Sequence, residues 1–75
     1  NIIGMRYEEA MIAVDKFIDN ALVSNYSMVR IIHGMGTGVL RKGVRKLLDK
    51  NKYVKSYQDG GPNEGGLGAT LVYFE

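Results

Sequence analysis

From Tyr7 to Val23, apolar residues recur at spacings of three and four: Ala10, Met11, Val14, Phe17, Ile18, Ala21 and Leu22. That period predicts a helix with one apolar stripe. Glu8 and Glu9 fall in its first turn, where they suit the positive end of the helix dipole. No Ser, Thr, Asp or Asn cap stands at Met5 to Tyr7, and Asn25 is placed to end the helix. A second helix is expected over Leu40–Lys50, with Leu40, Val44, Leu47 and Leu48 on one stripe and Arg41, Lys42, Arg45 and Lys46 around it. Gly43 inside it costs roughly 1 kcal/mol relative to Ala.

The remaining apolar runs are short and read as strands. Ile2 and Ile3 look like the end of a first strand, stopped by Gly4. Met28–Ile32 is apolar on both faces apart from Arg30, which suits a central, mostly parallel strand. A first strand, a helix and this strand would make a right-handed βαβ crossover. Tyr53–Tyr57 reads as a third strand, with Tyr53, Lys55 and Tyr57 on one face and Val54 and Ser56 on the other. Asp59 to Gly68 is a loop with five glycines and Pro62. Ala69–Phe74 would return as the partner of a hairpin. The order β-α-β-α-β-β predicts a two-layer α/β sandwich on a four-stranded mixed sheet.

The most distinctive segment lies between the second strand and the second helix: His33-Gly34-Met35-Gly36-Thr37-Gly38. A helix N-terminus leaves its first amides unpaired and carries partial positive charge. Glycines let such a backbone approach an anion. The loop is neither a Walker loop, which needs Gly-Lys-Ser/Thr, nor the dinucleotide fingerprint, whose glycine spacing differs. Glycines that merely turn a strand tightly into a helix are the plainer alternative. His33 stands at the strand's end, where α/β folds place ligands. It could transfer a proton or bind phosphate, or it could fix the loop through backbone hydrogen bonds.

Charge sharpens the picture. The 75 residues have a formal net charge of only +2. Residues 28–56, however, hold eight basic residues against the single acid Asp49, while the rest hold two against seven acids. Such asymmetry attracts polyanions to one part of a surface, although lysine and arginine also suit any solvated helix face. There is no cysteine, which excludes disulfides and cysteine-ligated zinc and fits a reducing cytosol. No apolar stretch is long enough to span a membrane, and no internal repeat or linker divides the chain. The expectation is one small cytoplasmic domain without a membrane partner, and a fragment of a longer protein, since Asn1 opens inside a strand. A chain this short buries only about 60% of its extended surface.

Other chemistry is sparse. Asp15 and Asp19 lie one turn apart with no histidine beside them, so no metal site is expected there. Glu64 would meet the His33 loop only if the fold joined them. Tyr53, Tyr57 and Tyr73 could stack on bases, or pack in strands as tyrosines more often do. The serines and Thr37 lack a nucleophile-elbow context.

Three segments stand out: Gly4-Met5-Arg6-Tyr7-Glu8-Glu9-Ala10, Ile31-Ile32-His33-Gly34-Met35-Gly36-Thr37-Gly38-Val39-Leu40-Arg41, and Glu64-Gly65-Gly66-Leu67-Gly68-Ala69-Thr70. Together they resemble the motifs of the Smr (small MutS-related) domain family. Their order covers nearly the whole chain. Gly4-Met5-Arg6 and Lys42-Gly43-Val44 are similar to the C-terminal Smr domain of the second bacterial MutS class. The resemblance implies a sandwich like the C-terminal domain of initiation factor three. It implies nucleic-acid binding and, in several members, an endonuclease that nicks DNA in a protein suppressing homologous recombination. The alternative it carries is a non-catalytic module docking on ribosomal RNA at stalled or collided ribosomes. DNA (branched or double-stranded) or ribosomal RNA is the implied partner, with homodimerisation through other regions. No resident cofactor is implied in this domain: Mg²⁺ or Mn²⁺ would serve nicking, and ATP would bind only upstream.

The expected contacts are the backbone of Gly34, Gly36 and Gly38, the Thr37 hydroxyl, Met35 between them, the side chains of Arg41, Lys42, Arg45 and Lys46, and Arg6. His33 is the expected catalytic residue. One departure bears on catalysis. The family's first motif usually reads Leu-Asp-Leu-His/Arg-Gly, whereas here Asn1 holds the Asp position and Ile3 the His/Arg position. An amide is no base and isoleucine holds neither proton nor phosphate, which weakens the expectation of nuclease activity.

Overall fold

A computed structural model describes all 75 residues. Helix α1 spans Tyr7–Val23, strand β1 Met28–Ile32, helix α2 Val39–Asp49, strand β2 Val54–Asp59 and strand β3 Ala69–Phe74, with a 3₁₀ turn at Gly66–Gly68 before β3. The helix α1 buries Ala10, Val14, Ile18 and Ala21, the middle of the expected stripe. Phe17, on its flank, stays 46% exposed. No side chain caps the start of α1. Its end is a Schellman motif: Asn25 sits at φ +60° and donates to Leu22, and Tyr26 donates to the Ala21 carbonyl.

The sheet is three-stranded and wholly antiparallel, in the order β1-β3-β2. The four-stranded mixed sheet is therefore not formed. Residues 2 and 3 do not make a strand. Ile2 is buried and donates one hydrogen bond to the Ile32 carbonyl, after which the chain turns, Met5 donating back to Ile2. With no parallel first strand there is no βαβ crossover, and β1 is an edge strand rather than a central one. The centre belongs to β3, whose residues are buried apart from half-buried Tyr73.

Pairing Val29 with Val72 and Ile31 with Thr70 sets those residues toward the helices. There they join Val14, Ile18, Val44, Leu48 and Phe74 in one core. The opposite face carries Met28, Arg30, Ser56, Gln58 and Tyr73. The expected hairpin of the last two strands is present, but β2 starts one residue late. Asn51 accepts from the Tyr53 amide through its side chain and from Val54 through its carbonyl, so Asn51–Tyr53 is a turn. A bulge between Val54 and Ser56 then shifts the alternation, placing Val54 and Tyr57 on the same, helix-facing side. Strict alternation had separated them. The helix α2 is likewise displaced by one residue at each end, because left-handed Gly38 forms its N-cap.

Candidate functional site

The loop after β1 is sewn to the entrance of β3. His33 and Gly34 both donate their amides to the Gly68 carbonyl, at 3.0 and 2.9 Å. Gly34, Gly36 and Gly38 take φ of +76°, +35° and +83°. Met35 and Thr37 between them do not have positive φ. Alternation of hand along a backbone turns successive N–H groups inward, which is the geometry of an anion-binding nest.

Gly38 donates to Met35 across this loop, so of the three glycine amides expected to face a ligand, only that of Gly36 is free. The amides of Met35, Thr37, Val39, Leu40 and Arg41 join it: none of the six donates to any protein acceptor. They surround a pocket of ≈ 260 Å³ lined by Ile3, Gly4 and residues 33–41. Free amides, a nest and the positive end of α2 all converge there. Ile3 sits at its lip, its Cγ1 3.2 Å from where a Cβ on Gly34 would stand. The Asn1 side chain is turned back, accepting from the Ile3 amide at 3.0 Å.

His33 lies beneath the pocket at 4% exposure. Its Nδ1 is 2.8 Å from the Gly34 carbonyl and its Nε2 2.9 Å from Thr70 Oγ1. A carbonyl only accepts, so Nδ1 carries a proton, and in the neutral ring Nε2 accepts the Thr70 hydroxyl. Both ring nitrogens are occupied, and the ring braces the loop against β3. This is the loop-fixing geometry. Thr70, fully buried, is a partner that sequence reasoning missed.

The basic helix divides into two rows. Arg41 and Arg45 turn inward, each donating through Nη2 to Asp59 Oδ1, at 2.7 and 2.5 Å. The Arg41 hydrogen bond is the largest cause holding the Asp59 carboxyl below its usual 3.8, with the charges of both arginines adding to it. Arg45 also lies 5.1 Å over the Tyr57 ring, and Tyr57 donates to Asp49 at 2.7 Å, a bond that raises the phenol above 10.0. These arginines bind α2 to β2. Lys42, Lys46 and Arg6 are exposed and within 4.0 Å of no carboxylate. Asp59 carried no sequence signal beyond preceding a glycine turn.

The remaining candidates lie elsewhere. Glu64 accepts from the Gly61 amide within its own loop and does not meet His33. Tyr53 is exposed, with Lys52 Nζ 5.2 Å from its ring, and Tyr57 packs against the core. No three His, Cys, Asp or Glu side chains cluster closely enough to hold a metal ion.

Fold and site together define a two-layer α/β domain with a glycine-shaped pocket of unbonded amides at its strand-to-helix turn. The Smr domain family matches residues 1–75, and the chain belongs to that family. It is 61% identical over 69 residues to Endonuclease MutS2 of Halalkalibacterium halodurans, covering 92% of this chain. It is 57% identical over 72 residues to Endonuclease MutS2 of Streptococcus gordonii. The chain spans only 9% of the length of these relatives. Among solved structures, the Smr domain of Thermus thermophilus MutS2 matches with a TM-score of 0.94 at 38% identity, covering 99% of this chain and 92% of that one. YdaL, a stand-alone small MutS-related protein from Escherichia coli, matches at 0.96 and 31%, covering 100% and 62%.

Proposed function

We propose that this chain is a nucleic-acid-binding module that seats a backbone phosphate on the free amides of Met35, Gly36, Thr37, Val39, Leu40 and Arg41. In longer proteins it serves an endonuclease. The observation that carries this reading is the set of six unbonded amides around one pocket at the positive end of α2. Backbone amides read no base edge, so recognition is of phosphate and shape rather than sequence. The relatives' name, Endonuclease MutS2, supplies the reaction class, phosphodiester hydrolysis.

A second reading, docking on structured RNA such as ribosomal RNA without cleavage, is favoured at the same site. Ile3 puts hydrocarbon at the lip, Asn1 is turned back, and His33 has no free nitrogen. Two assays separate the readings. Binding of a labelled duplex, followed by anisotropy, is expected to weaken at least tenfold between about 50 and 200 mM salt. Nicking of supercoiled plasmid, with and without Mg²⁺ or Mn²⁺, is expected of the endonuclease. Binding without nicking leaves the docking module, and salt-insensitive binding refutes both.

A further inference from the structure

The cations of α2 do unequal work. The arginine row is committed: the Arg41 and Arg45 side chains are 31% and 27% exposed, and both Nη2 groups converge on one carboxylate oxygen. Their Nε atoms are buried without partners. Withdrawing either guanidinium to a ligand would loosen the hold on β2. The lysine row is different. Lys42, Lys46 and Lys50 follow one another at intervals of four, and all are exposed with no carboxylate within 4.0 Å. Four residues rise about 6 Å along a helix, so the row extends about 12 Å. On one strand of a duplex that spans about three phosphates.

The row begins at Lys42, directly after the free amides of residues 39–41. It runs beside a hollow of ≈ 230 Å³ between the helices, lined by Tyr7, Met11, Gly43, Lys46, Leu47 and Lys50. The hollow is open because Gly43 has no side chain: a Cβ there would stand 2.6 Å from Tyr7 Cε1. On α1, Tyr7 and Met11 face this stretch without charge. Asp15, one turn further, shares the next hollow with Lys50 and marks the end of the cationic run.

Resting on the reading above, we propose that a phosphodiester backbone seated at the glycine loop continues along Lys42, Lys46 and Lys50. The guanidinium groups of Arg41 and Arg45 anchor α2 to Asp59 and are not ligand contacts. Lysine suits such a track, being a flexible point charge that needs no fixed geometry. Arginine's weakly hydrated, planar guanidinium suits the half-buried inward pairing and, at Arg45, the Tyr57 ring beneath it.

The test is the salt dependence of binding to random-sequence duplex DNA and duplex RNA of equal length, with melting curves alongside. In a K42Q/K46Q/K50Q variant the log–log salt slope is expected to fall by 2 to 3, at about 0.9 per phosphate contact, with Tm unchanged. The track belongs to whichever polymer shows this loss. An R41Q/R45Q variant removes both guanidinium charges and their pairing with Asp59. It is expected to lower Tm while leaving the slope as in the wild type. An unchanged slope in the lysine variant, or a slope that falls in the arginine variant, overturns the proposal. Wild-type binding with no salt slope at all fails the underlying reading instead.

Discussion

Replacing Thr70 with valine tests whether His33 is a brace. Valine keeps the shape of threonine and removes only the hydroxyl. Thr70 is 0% exposed, so no water takes its place. The change deletes the 2.9 Å bond and leaves His33 Nε2 facing a methyl group. A buried polar atom left unsatisfied costs about 1–3 kcal/mol, against which the added methyl returns less than about 1 kcal/mol of apolar burial. A net loss of about 1–2 kcal/mol is expected. In a domain of this size that lowers Tm by roughly 5–15 °C. Urea unfolding followed by circular dichroism measures it. A cycle with His33→Asn, which retains a polar group near the Gly34 carbonyl but lacks Nε2, isolates the pair. Coupling above about 0.5 kcal/mol is expected. Oligonucleotide affinity should weaken with an unchanged salt slope, because the loop loses position and not charge. A neutral Thr70→Val, or strict additivity with His33→Asn, would refute the brace.

Two other perturbations bear on charge. Ile3→Arg sets a cation at the lip of the seat and is expected to steepen the salt slope of duplex binding by about 0.9. Stability should change by less than about 0.5 kcal/mol, as for other exposed positions. An unchanged slope would show that position 3 does not face the bound backbone. Asp59, with its carboxyl held low by the arginines, contributes stability that is complete above the unfolded value near 3.8 and is lost as pH falls through the lower folded value. Between those two values, acid melting curves of the wild type should therefore fall more steeply than those of Asp59→Asn. Parallel curves would mean that the arginine pair is not anchored there.

What was legible in the chain was local. The spacing of Ala10, Val14, Ile18 and Ala21 placed α1, Asn25 marked its end, and the glycine run marked the strand-to-helix turn. The ladder was not legible, because it is decided by partners far apart. Met28–Ile32 reads as apolar on both faces, yet β1 lies at an edge, since β3 arrives from some forty residues away to take the centre. One extra residue near Lys55 reversed the facing of Tyr57. The pairs that define the site are equally remote. Asp59 lies 18 and 14 residues from its arginines, and Thr70 lies 37 from His33. Residue type showed that cations were abundant, but only the fold shows which ones are free.

The glycines of the loop illustrate the same distinction. Their spacing suggested three amides bared for close approach of a ligand. Instead, Gly34 and Gly38 give their amides to the protein and supply left-handed backbone, as does Gly36. The donors that remain belong mostly to Met35, Thr37, Val39, Leu40 and Arg41, where any residue but proline offers the same N–H. The seat therefore depends on glycine for its shape and on other residues for its hydrogen bonds. On the proposed reading, side chains at Met35, Thr37 and Val39, all exposed, are free to set what lies beside a phosphate without altering how these amides would hold it.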